Sequence, residues 1–218
     1  MSLESTSAAQ QRRPEDSARR ARLTSRWPAL PAAAWSLCLA PATILLHELG
    51  HFWAAHLVGY PSPVLHFSGV DPGPSADVPL AASGLVALTG PIVSAMLALL
   101  GCAWLRGPGR AVWAAALAVT AASRFAVGVP YTLVNLWVRV RGRQLTPPAF
   151  DEYKAGTALG WSGDALLGVT TLLCALVLWW VGRHLRDGAR TAGWIGLLGG
   201  TALGWALWMQ IVGPWWLP

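Results

Sequence analysis

His47, Glu48 and His51 stand in the order His-Glu-Leu-Gly-His, the stretch of this chain whose residue types and spacing most directly suggest chemistry. On a helix, residues four apart share one face about one turn from each other. Both imidazoles can therefore bind one Zn²⁺ while Glu48 addresses a water held there as a base. The chain's own His and Glu frequencies give on the order of 0.002 such matches by chance over its windows. The surrounding residues are apolar, and a Glu with two His facing lipid would cost several kcal/mol, so the cluster marks a functional site unless these side chains merely reach interfacial water at a helix end.

The elements that must position this motif are membrane helices. Mean hydropathy is +0.45, with 12% charged residues and 14 Trp; a water-facing domain carries about twice that charge. Apolar stretches long enough to cross a hydrocarbon core of about 30 Å run over 32–58, 80–105, 111–138, 159–181 and 191–212. The expected fold is an all-α, polytopic integral membrane protein of about five transmembrane helices, because only helices satisfy their backbone in lipid without closing a barrel. Pro41 should kink the first helix or begin its inner half, leaving 41–58 to carry the motif. Arg124, inside the third stretch, must snorkel, pair with a carboxylate or line an aqueous cavity. Trp215 and Trp216 read as an interfacial anchor.

Two domains are expected. Residues 1–27 form a basic tail with six Arg, read as disordered; residues 28–218 form the membrane-embedded domain. The basic tail followed by apolar sequence resembles a signal peptide, but the apolar part continues through the motif, so the tail reads as a retained anchor. The net charge of +6 suits anionic lipid headgroups; no aromatic-basic recognition motif points to nucleic acid. Cys38, Cys102 and Cys174 are isolated in apolar segments and read as small buried hydrophobes. The 59–79 connection is rich in Pro and Gly and contains no Lys or Arg. It is either a short hairpin or re-entrant segment over the site, or a plain loop.

The chain resembles the site-2 protease family of intramembrane zinc metallopeptidases. The resemblance rests on His47-Glu48-Leu49-Gly50-His51, on Thr89-Gly90-Pro91-Ile92-Val93-Ser94 in the next apolar segment, and on an Asn, then Pro-Pro, then Asp before a later one. It covers roughly residues 40–182. It implies an intramembrane zinc metalloprotease cutting within or near transmembrane segments of membrane-protein substrates, in regulated intramembrane proteolysis. His47, His51 and Asp151 of Thr146-Pro147-Pro148-Ala149-Phe150-Asp151 would bind Zn²⁺, Glu48 would be the base, and Asn135 would help hold substrate. Two departures are visible: Asp151-Glu152-Tyr153 stands where the family often has Asp followed by two Gly, and the interval from Asn135 to Asp151 is long. Asp164 is the rival third ligand, although Trp161-Ser162-Gly163-Asp164 also reads as a helix cap. Glu152 should point away if Asp151 faces the metal. His56, His66 and His184 read as bystanders; His56 lies about 140° around the helix from His51.

The short connections leave no room for an inserted PDZ or nucleotide-binding domain, so substrate choice falls to the membrane region, the tail or a membrane-protein regulator. The competing class is a non-proteolytic membrane protein of the same fold that binds metal or regulates a partner, and an intact Glu48 argues against it. A metal transporter fits less well without duplicated halves. The expected location is the cell membrane. The Lys/Arg bias places the tail and the connections around 106–110 and 183–190 on the cytoplasmic side, whereas the resemblance implies a site opening toward the cytosol.

Overall fold

The computed structural model describes residues 29–73, 78–106, 112–143, 145–185 and 190–217. The expected tail, residues 1–27, lies outside them. Five helical spans are long and apolar enough to cross a membrane. They comprise α1 (Ala29–Leu57), α2 (Leu80–Trp104), α3 (Val112–Ala126) continued by α4 (Gly128–Val140), α6 (Gly163–His184) and α7 (Arg190–Leu207), extended through a π-helical turn (Trp208–Val212) and the short α8 (Gly213–Trp216). The short α5 (Asp151–Ala158) lies between the third and fourth spans. The chain is thus an all-α, multi-pass membrane fold, with span limits within a few residues of those expected at most ends.

Helix α3 forms the centre. Ala114, Ala115, Ala116, Ala118, Ala121 and Ala122 are buried, and with Phe125 and Val119 they join the main apolar core. Such small side chains let backbones touch where lipid supplies no hydrophobic drive between helices. At Gly101 of α2 an added Cβ would lie 2.7 Å from both the Ala114 carbonyl oxygen and the Ala118 nitrogen. Pro130 explains why α3 gives way to α4: it has no N–H for the Ala126 carbonyl, yet as the third residue of α4 it is tolerated.

Pro41 does not start a new helix. α1 is continuous from Ala29 to Leu57 through Pro41, contrary to a motif helix beginning there. The reason lies in α7, whose Gly196, Gly200 and Gly204 press onto the α1 backbone at Ala29, Ala33 and Leu37. Pro41 deprives the Leu37 carbonyl of its helical donor, and that oxygen would lie 2.7 Å from a Cβ on Gly204. Glycine therefore lets α7 pack against the weakened turn and splint it. At about 1.5 Å per residue, His47 sits about 15 Å from the C-terminal end of α1, within the apolar layer.

These contacts set α7 parallel to α1, and they gather the start of α1, the end of α2 and the starts of α3 and α7 at one end of the bundle. There Trp180 of α6 donates its indole N–H to Cys102 O at 3.2 Å. At the opposite end a hairpin follows α1: β1 (Val64–His66) pairs antiparallel with β2 (Gly69–Asp71), in register Val64↔Asp71, Leu65↔Val70 and His66↔Gly69. The 59–79 connection is thus a hairpin at its centre, closed by the two-residue turn Phe67-Ser68. Buried Trp208, in the π-helical turn, clamps that turn by donating its indole N–H to Phe67 O at 2.7 Å. Trp215 and Trp216 are exposed beyond it, as an interfacial anchor requires.

Candidate metal centre

His47 and His51 project from one face of α1 and are both buried, as is Glu48. Their Nε2 atoms are 3.1 Å apart. Asp151 Oδ2 completes a triangle, 3.2 Å from His47 Nε2 and 3.4 Å from His51 Nε2. The three residues form a possible metal site. A tetrahedral ion with bonds of about 2.0 Å sets its ligand atoms about 3.3 Å apart, and the triangle matches that spacing. Donor chemistry agrees. His51 Nδ1 lies 2.7 Å from Val86 O and must donate its proton to that carbonyl, which turns the lone pair of Nε2 toward His47 and Asp151. His47 Nδ1 is held at 2.9 Å by Ser94 Oγ. Two imidazole lone pairs and a carboxylate meeting at one point repel unless a cation sits among them.

The second helix explains the glycines. A Cβ on Gly90 would lie 2.6 Å from His51 Cε1 and 2.7 Å from His47 Nε2, and closer still to His51 Nε2. On α1, a Cβ on Gly50 would meet Val93 Cγ2 at 3.0 Å. Gly50 and Gly90 therefore let α1 and α2 cross tightly enough for Val86 O and Ser94 to reach the imidazoles. Pro91 lacks the N–H that would bond the Ala87 carbonyl, and Ala87 lines the cleft beside the site.

Asp151 arrives from the other direction. From Leu145 to Phe150, through Pro147 and Pro148, the chain has no regular secondary structure; Phe150 is extended, at φ −71° and ψ 143°, and α5 begins at Asp151. Tyr131 of α4 packs edge-on against Phe150 at 5.8 Å between ring centres. Burial alone would raise the Asp151 carboxyl, but its neighbours His47, His51 and Arg124 hold it well below the usual range. Glu152 stays out of the ligand triangle, as expected. It is buried, lines the same cleft, and is pushed upward chiefly by that burial.

Asp164 is elsewhere. It accepts from Asn135 Nδ2 at 2.8 Å and pairs with Arg139, while Ser162 caps α6 by accepting from Ala165 N at 3.2 Å. Between the two candidate acids, the fold brings Asp151 to the histidines. It places Asn135 with Asp164 and not in the ligand triangle. His56 is exposed against Phe52 and Trp53, and His184 Nδ1 bonds Trp180 O at 2.8 Å.

Arg124 takes two of the three courses open to it: it pairs with carboxylates and lines a cavity. Its Nη2 is 3.4 Å from Glu48 Oε1 and 3.5 Å from Asp151 Oδ2, and its Nε is 3.3 Å from His47 Nε2. The site opens into a cleft of about 550 Å³, lined among others by Glu48, His51, Arg124, Asp151 and residues 68–70 of the hairpin. Sequence reasoning missed Ser94, Val86 O and the destination of Arg124. Ser94 lay within the quoted motif, four residues after Gly90 and so on the same helix face, whereas a carbonyl ligand partner carries no residue-type signal. Neither protein-family models, nor curated proteins, nor solved structures give a match to this chain.

Proposed function

We propose that this protein is an intramembrane zinc metalloprotease of the site-2 protease type, hydrolysing peptide bonds in or near transmembrane segments of membrane proteins. The observation that carries the reading is the convergence, among the described residues, of three ligand atoms on one point beside a carboxylate, Glu48, that is not among them. Three protein ligands leave a coordination position open, as a catalytic site needs, whereas a structural site closes with four. Two His and one carboxylate are donors that suit Zn²⁺.

Zinc in such a site polarises the scissile carbonyl and lowers the pKa of water to about 7. Glu48 takes a proton from the attacking water as its oxygen bonds to the carbonyl carbon and the π pair moves to the carbonyl oxygen. Glu48 then returns that proton to the amide nitrogen as the C–N bond breaks, leaving a carboxylic acid and an amine. Ser94 and Val86 O fix the imidazoles through Nδ1. A transmembrane helix must unwind to expose its peptide bond; Ser68, Gly69 and Val70 of the hairpin line the cleft, which supports holding the unwound strand by main-chain pairing.

The test compares membrane-protein fragments between cells carrying the native chain and cells carrying Glu48→Gln. Purified Glu48→Gln is expected to keep one zinc and its fold while cleavage of the fragments' parent protein in proteoliposomes falls at least about 10²-fold. Equal turnover by native and variant protein would refute the assignment.

A further inference from the structure

Arg124 is costly where it stands, on an alanine-rich helix at the centre of a membrane bundle. Its guanidinium is turned inward to the ligand triangle, its side chain is 28% exposed, and it lines the cleft. Its three closest polar contacts are all long, 3.3 to 3.5 Å, against about 2.7–2.9 Å for a tight charge-assisted bond. Among the described residues, its third nitrogen, Nη1, has no hydrogen-bond partner. Its salt bridges to Glu48 and Asp151 are therefore loose and leave donors for a further partner.

Nor is it needed to neutralise the site once metal is present. Asp151 and Glu48 together balance a divalent ion, and Glu152 and Lys154, which also line the cleft, balance each other. Arg124 is the surplus positive charge, placed where Glu48 and the ligand triangle face each other. The Trp205 ring lies behind it, 5.9 Å from Cζ, and backs the guanidinium by a cation–π contact.

We propose that Arg124 is a catalytic residue, donating hydrogen bonds to the scissile carbonyl oxygen and stabilising the negative charge that forms there as water adds. The proposal rests on the protease reading above. An oxygen between Glu48 and the ligand triangle lies beside Nη2, and the long contacts to carboxylates shorten into a strong one only when an oxyanion appears. Differential stabilisation of that kind is what accelerates a reaction, and one such donor contributes about 10²–10³ in rate.

The probe is a doubly capped alanyl-alanine peptide whose central amide is replaced by a phosphinic group, a tetrahedral anion, compared with the same peptide carrying its ordinary amide. Binding of both to the zinc-loaded full chain in detergent is measured for native protein, Glu48→Gln, Arg124→Gln and Arg124→Lys, with zinc per chain determined for each. Arg124→Gln is expected to weaken phosphinate binding about 10²-fold and amide binding less than about threefold, with zinc retained. Arg124→Lys, which keeps a point charge without the fork, should fall between. Equal losses for both peptides, or native affinity for the phosphinate in both variants, would overturn the proposal. Loss of zinc from both variants would also overturn it and leave Arg124 as a group that positions Asp151. If Arg124→Gln fails to fold, the same two affinities in Arg124→Lys decide. Failure of the protease reading itself looks different: the native protein then binds the phosphinate no better than the amide.

Discussion

Replacing Gly90 by Ala should remove the metal while leaving the bundle intact. The added methyl would lie 2.7 Å from His47 Nε2 and 2.6 Å from His51 Cε1, whereas ordinary van der Waals contact begins at 3.4 Å. His47 Nε2 alone must then retreat by about 0.7 Å, and His51 must move further. Metal sites tolerate errors of about 0.2 Å in ligand distance, and neither ring can swing freely, because Ser94 and Val86 O hold their Nδ1 atoms. Disturbing the support of a ligand costs about 10–100-fold in affinity; displacing two ligands should exceed 10²-fold, or roughly 2.8 kcal/mol. Gly199→Ala is the control, since its Cβ meets nothing within 4 Å and Ala is the better helix former by up to about 1 kcal/mol. The assay is chelator competition with zinc counted by mass spectrometry, alongside circular dichroism to monitor helix content. A Gly90→Ala protein that binds zinc as tightly as the native chain would refute the close-crossing argument.

Asp151→Ala should lose zinc while Asp164→Ala keeps it, because Asp164 serves Asn135 and Arg139; zinc stoichiometry of the two purified variants decides. Ser94→Ala should weaken zinc binding about 10–100-fold without removing a ligand, read by the same competition. Gly200→Ala should lower the thermal unfolding midpoint, since its Cβ collides with the Ala33 carbonyl of α1, and an unchanged midpoint would deny the tight α1–α7 packing. Single cysteines placed at Arg106 and Arg183 should label from one side of sealed membranes and one at Arg141 from the other. The fold puts 106 and 183 at one end of the bundle, and 141 follows α4 at the opposite end.

Sequence determined the parts that depend on composition and local period. Runs of apolar residues name membrane helices because the bilayer admits no other open structure, and His47, Glu48 and His51 share a helix face because 3.6 residues make a turn. Pro147 and Pro148 likewise marked the approach to Asp151 as non-helical, since proline fixes its own backbone and lacks an N–H. Tertiary structure decided whatever depends on two distant segments meeting. The choice of Asp151 over Asp164 required knowing that the chain after α4 runs back to the depth of the histidines. Asn135 carries the same amide wherever it lies, and the fold sets it against Asp164. The hairpin in the 59–79 connection had only a few residues of strand signal, and its turn is held by Trp208, 141 residues away. Pro41 showed the same limit: its local effect is to weaken a helical turn, but Gly204 of α7 splints that turn, so the helix runs on. Arg124 was legible as an anomaly because charge in lipid is costly. Its place beside Glu48, Asp151 and His47 followed only when α1, α3 and α5 were brought together.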